Sequence, residues 1–125
     1  MRWADAWPVG HIRVHEVHGL IVIEFHGEID IAAAPSIGPE LDAATAVAGR
    51  TVVVDLTPTE FFDCYALRLL HRATRRVRER GGRLLLVCPH PLILKILRVS
   101  GLSRQLTMIP GLEDGIASGP GDVSD

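Results

Sequence analysis

Two stretches of the chain, Thr51-Val-Val-Val-Asp-Leu56 and Arg83-Leu-Leu-Leu-Val87, are short and almost wholly apolar. A strand with one wet face alternates polar and apolar residues, so a run without alternation implies cover on both faces and a central place in a parallel sheet. Between the two runs, Ala66, Leu69, Leu70, Ala73 and Val77 recur at helical spacing, which predicts an amphipathic helix from about Cys64 to Arg80. Asp63 stands where an N-cap belongs and Gly81-Gly82 stops the helix. Strand, helix and parallel strand must be joined by a right-handed crossover, which excludes most other topologies.

The pattern upstream differs. His11 to Val17 reads as a strand, His18-Gly19 as a tight turn, and Leu20-Ile-Val-Ile-Glu-Phe-His26 as a longer β-branched strand, which together make a hairpin. Pro35 suits a first helical turn, and Ile37, Leu41, Ala44 and Val47 continue at helical spacing until Gly49 ends the helix. Downstream, a helix from about Pro91 to Ser100 is closed by Gly101, Leu106 to Ile109 reads as a last strand, and Leu112 to Ala117 as a short last helix. Residues 1–10 and 118–125 carry no sustained periodicity and read as loose ends around a domain of residues 11–117. The expected fold is α/β, with a mostly parallel sheet of about five strands opened by an antiparallel hairpin and helices packed on it. Such sheets bind ligands and partners at the carboxyl ends of their strands, where Asp63, Cys64 and Tyr65 should lie.

Several function classes lose support from the residues present. With 125 residues, 47% of them hydrophobic, the chain can bury one core without metal or disulfide staples. A net charge of −2 gives no global field selecting nucleic acid or membrane. The arginines at 68, 72, 75, 76, 78 and 80 read as the solvated face of the long helix, because no aromatic residue interleaves them. No apolar run approaches the roughly 20 residues of a spanning helix and Met1 to Val9 lacks the order of a secretory signal, so a cytoplasmic protein is expected. His11 and His15, four apart on a strand, stand about 13 Å apart and cannot share an ion. There is no phosphate-binding glycine loop and no nucleophile-base motif, so neither an enzyme nor a cofactor is expected.

The segments Gly27-Glu-Ile-Asp30, Ala34-Pro35, Val53-Val-Asp-Leu-Thr57, Phe61-Phe-Asp63 and Leu67 follow one another in an order and spacing that resembles the STAS domains of bacterial anti-sigma factor antagonists. Gly81-Gly-Arg-Leu84 and Val99-Ser-Gly-Leu102 continue the resemblance. It implies a STAS-type fold and a partner-switching regulator, which binds an anti-sigma factor or related kinase-type protein, modulates sigma-factor-dependent transcription, and catalyses nothing. In that family the loop after the central strand reads Asp-Ser-Ser-Gly, and phosphorylation of the second serine breaks the complex. Here the same positions are Asp63-Cys64-Tyr65-Ala66.

Tyr65 therefore holds the phosphoacceptor position without the serine. Its phenol oxygen stands several ångströms further from the backbone than a serine oxygen, and phosphoryl transfer tolerates such misplacement poorly. Alanine at position 66 is compatible with a helical φ. The resemblance implies partner binding through Asp30, Asp63, Cys64, Tyr65, Ala66 and Leu67, without the usual switch. Asp30 could contact a partner by charge or serve as a turn residue before Pro35. Cys64, in the first turn of a helix, could be a redox switch, or a small side chain in a packed loop; Cys88 follows a buried strand and could approach it. A redox-responsive or small-molecule-sensing STAS module, and less so a nucleic-acid-binding protein, are the alternatives to partner switching.

Overall fold

A computed structural model describes residues 10–113 and 115. The elements run β1 (His11–Val17), β2 (Leu20–Ile29), α1 (Ala34–Ala44), β3 (Thr51–Asp55), β4 (Thr59–Phe62), α2 (Cys64–Glu79), β5 (Arg83–Val87), α3 (Pro91–Ser100), a 3-10 turn (Leu102–Arg104) and β6 (Thr107–Ile109). They form one sheet in the order β1-β2-β3-β5-β6, antiparallel between β1 and β2 and parallel elsewhere, with β4 paired to β2. The expected α/β architecture is present, with one strand more than the sequence indicated.

The hairpin turns on His18 and Gly19, both at positive φ (49° and 82°). Two such residues give the turn a twist that matches its strands. β2 continues past the end of β3 and takes β4 as a second parallel partner. The changeover is a bulge at Gly27, whose φ of 79° is open to glycine at little cost. It is pinned by Gly27 N–H donating to Pro58 O (3.1 Å) and by the Thr59 hydroxyl donating to Phe25 O (2.8 Å). β4 escapes sequence reading because it has only four residues and follows a proline, too few for alternation to show.

One face of the sheet carries Ile21, Ile23, Phe25, Val52, Val54, Leu84 and Leu86, all buried. All three helices pack there, through Ile37 and Leu41, through Ala66, Leu70, Ala73 and Val77, and through Ile93 and Leu97. On the opposite face Leu20, Val22, Val53, Leu85 and Val87 are buried with Ile109 and Leu112. Gly115 comes so close that an added Cβ would touch Ile109 and Val53. Both central strands are thus covered twice, which is why their sequences lack alternation. Leu112, Glu113 and Gly115 are helical, while the remainder of the expected last helix and the stretches 1–9 and 118–125 lie outside the described residues. Gly10, assigned by sequence to the loose amino end, is buried against Glu28 O.

α1 ends at Ala44, short of Gly49, and Val47 is exposed rather than part of the apolar stripe. Polar groups end the helix early. The Thr45 hydroxyl adds a bond to Leu41 O (2.8 Å), and Arg76 Nη2 donates to Asp42 O (2.9 Å), a carbonyl that a further turn would have used. Arg72 adds two bonds to the Asp42 carboxylate (2.8 and 2.6 Å). Arg72 and Arg76 therefore clamp α2 to α1 instead of belonging wholly to a solvated face.

The hairpin's second face carries a polar cluster. His26 Nε2 donates to Glu24 Oε1 (2.7 Å) and His15 Nε2 to Oε2 (3.1 Å), with Arg13 3.8 Å away and His11 stacked on His26. The hydrogen bond from His26 holds the Glu24 carboxyl below its ordinary 4.5, against the opposing effect of burial, and His15 adds to the lowering. A depressed carboxyl stabilises the fold above its unfolded value and loses that contribution as pH falls through its folded value. Glu24→Gln is expected to lower the melting temperature at neutral pH, and the gap from the parent should close as the pH falls below 4.5. Melting curves from neutral pH to below that value would show it, and a constant gap would refute it.

Candidate protein-docking edge

β2, β3, β4 and β5 run the same way, so the segments that follow them emerge at one end of the sheet. Two connections are tied together directly: Phe62 pairs with Ile29, and Asp63 N–H donates to Ile29 O (3.3 Å). Asp30 and Asp63 are thus neighbours in the fold although they stand 33 positions apart in the chain. At the same end the β5–α3 connection is tied to the β3–β4 connection, with Leu56 N–H donating to Val87 O (2.8 Å) and His90 Nε2 to Leu56 O (2.8 Å).

Each aspartate orders its own loop. Asp63 Oδ1 accepts from the backbone N–H groups of Tyr65 (2.8 Å) and Ala66 (3.1 Å), which makes it the N-cap of α2. Asp30 Oδ1 accepts from Ala33 N–H (3.1 Å), and its carbonyl accepts from Ala33 and Ala34, closing the turn into α1. Neither is hydrogen-bonded through Oδ2 among the described residues.

Cys64 is exposed, Tyr65 and Leu67 half-exposed, and Ala66 buried. Cys64 is therefore no packed-loop side chain. Arg68 lies over the Tyr65 ring, its guanidinium carbon 5.5 Å from the centroid, which limits the freedom of the phenol. Both cysteines are free, and burial pushes the Cys88 thiol up, which suppresses its thiolate. Thiol chemistry at this end would fall to Cys64 alone.

The structure adds residues that sequence reasoning passed over. Ile31, just after Asp30, is 57% exposed, Phe61 on β4 is 51% exposed, and Leu92 at the start of α3 is 71% exposed. All three sit at the carboxyl end of the sheet. Large apolar side chains left wet beside ordered polar loops are the composition of a protein-binding surface. Phe61 could not be placed before β4 was known, because only on a strand must one of two consecutive phenylalanines face away from the other. For Ile31 nothing in the sequence marks exposure. The edge holds no metal-binding group, and none exists among the described residues; no helix there is long and apolar enough to cross a membrane.

Comparison with known proteins gives this end of the sheet its context. The STAS domain family matches residues 11–115. A proposed anti-anti-sigma factor of Mycobacterium tuberculosis is 34% identical over 77 residues, which are 62% of this chain and 52% of that protein, so the chain spans about half the length of this curated relative. An anti-sigma-factor antagonist (STAS) domain protein from Planctomyces limnophilus superposes with a TM-score of 0.76 at 26% identity, over 86% of this chain and 97% of that one. The phosphorylated form of the Bacillus cell fate determinant SpoIIAA has the same fold, with a TM-score of 0.66 at 24% identity over 85% of this chain and 96% of its own. A match across nearly all the described residues, joined to the expected mostly parallel sheet opened by an antiparallel hairpin, establishes that the chain belongs to the STAS domain family.

Proposed function

We propose that this domain acts in the cytoplasm as an anti-sigma factor antagonist, binding a kinase-type anti-sigma factor and so releasing a sigma factor for transcription. It docks through Asp30, Asp63, Cys64, Tyr65 and Leu67, with Ile31 and Phe61 adding apolar area, whereas Ala66, expected at this surface, is packed into the core and takes no part. The domain catalyses no reaction. The observation that carries the reading is the shared edge itself, where an exposed aromatic and aliphatic set surrounds two loops held rigid by their own aspartates. Rigid loops lose little entropy on binding, which favours a preformed docking surface.

Serine phosphorylation is not the off-signal here. Position 65 has no serine, and the amide N–H groups of residues 65 and 66 already donate to Asp63 Oδ1. A phosphate on the phenol would lie beyond reach of those amides and beside Arg68 instead. The test is to mix the full chain with ATP, magnesium and each purified kinase-type anti-sigma factor of the source genome, reading complex formation by calorimetry and modification by intact mass. One partner should bind stably and leave the chain without phosphate. Efficient phosphorylation of Tyr65 would overturn the constitutive reading, and absence of binding to every candidate would overturn the docking reading.

A further inference from the structure

An open groove of about 490 Å³ runs along α2 toward the end of α3 and the 3-10 turn. Its apolar walls are Leu67 and Leu102, and Arg68, His71 and Arg75 stand over them. Arg72 also reaches it, but its charge is committed to Asp42. Among the described residues no carboxylate lines the groove. Arg68 forms no ion pair among the described residues, and Arg75 has only a loose one to Glu79 at 4.0 Å. The groove begins at Leu67, within the docking segment, and Arg68 connects it to the Tyr65 ring.

From this continuity we infer that the groove receives an acidic, leucine-bearing segment of the protein partner, an inference that rests on the docking reading and extends it along α2. Charge complementarity selects the occupant: unopposed guanidinium groups above an apolar floor fit carboxylates alternating with aliphatic side chains. A small anion is a poorer occupant, because exposed arginines screened by water hold an isolated charge weakly. A polypeptide gains in addition from covering Leu67, which is half-exposed, whereas Leu102 is already buried and only shapes the floor. Arginine forks can also take carboxylates in pairs, which gives such a segment a fixed register.

The test uses the full chain and a fluorescein-labelled synthetic peptide alternating paired acidic residues with leucines, followed by anisotropy. Two controls are the same peptide with lysines in place of the acids and a uridine homopolymer. The acidic peptide is expected to bind, to weaken roughly tenfold in the Arg68→Glu/Arg75→Glu double variant, and to weaken with salt between about 50 and 300 mM. Both side chains are exposed, and circular dichroism would verify that the double variant stays folded. Equal binding of the lysine peptide, an unchanged affinity in the double variant, or tighter binding of the homopolymer would overturn the inference. Tyr65→Ala is measured alongside with the purified anti-sigma factor. If that variant loses the partner while the double variant keeps it in full, the groove inference falls and the docking edge stands; if neither loses it, both fall.

Discussion

Phe25→Ala should lower the unfolding free energy by about 3–5 kcal/mol, a large share of the 5–15 kcal/mol typical of a whole domain. Phe25 is fully buried on β2, on the face that receives the three helices. Removing the ring forfeits its transfer from water and leaves a cavity that a strand paired on one side and covered by the helices cannot collapse to fill. Its carbonyl accepts the Thr59 hydroxyl, so the void would open beside the junction where β2 changes partner from β3 to β4. Chemical denaturation would measure the loss, with Phe61→Ala as control, because Phe61 is half exposed and should move stability by no more than about 0.5 kcal/mol. A loss below about 1 kcal/mol for Phe25→Ala would mean the ring is not packed as described.

Tyr65→Ala should leave stability nearly unchanged and weaken partner binding by roughly thirtyfold, about 2 kcal/mol. Truncated aromatics at the centre of an interface account for such losses, while residues around them cost little. Tyr65 fits that role, half-exposed in the first turn of α2, with Arg68 over its ring and the exposed Ile31 and Phe61 at the same end of the sheet. The backbone amide that bonds to Asp63 survives the change, so the cap remains. Titration calorimetry with the anti-sigma factor would give the ratio of dissociation constants. A ratio near unity would move the binding surface away from α2. Cys64→Ser, which preserves size, should stay within a few fold of the parent.

What could be read from the sequence follows from the kind of force that fixed each element. The turn at His18-Gly19, the cap at Asp63 and the stop at Gly101 depend on backbone conformations that single residue types favour, and all three occur where the residues indicated. The two doubly buried strands announced themselves by their unbroken apolar runs. Where a distant side chain decided the outcome, the sequence was silent. Arg76, on another helix, supplies the donor that lets α1 end at Ala44, and β4 exists because β2 extends beyond β3 and offers it a free edge.

The docking edge divides the same way. Asp30 and Asp63 could be named from their places in the loops, but their adjacency depends on the pairing of Ile29 with Phe62, a contact between strands far apart in the chain. The serine-free loop at residues 64–66 was legible residue by residue. The groove was not, because its arginines read as a solvated helix face until α3 and the 3-10 turn were placed beside them.

β2 is the strand with three partners, and two of those partners are encoded after it. During synthesis the hairpin leaves the ribosome a few seconds before β3 and β4 can join it, at the usual rate of about 5–20 residues per second. Throughout that interval Leu20, Ile21, Val22, Ile23 and Phe25 present apolar side chains on both sides of a two-stranded ribbon that is marginal by itself. The nascent chain is most exposed to self-association at that stage, and the cell's holding chaperones have their clearest target there.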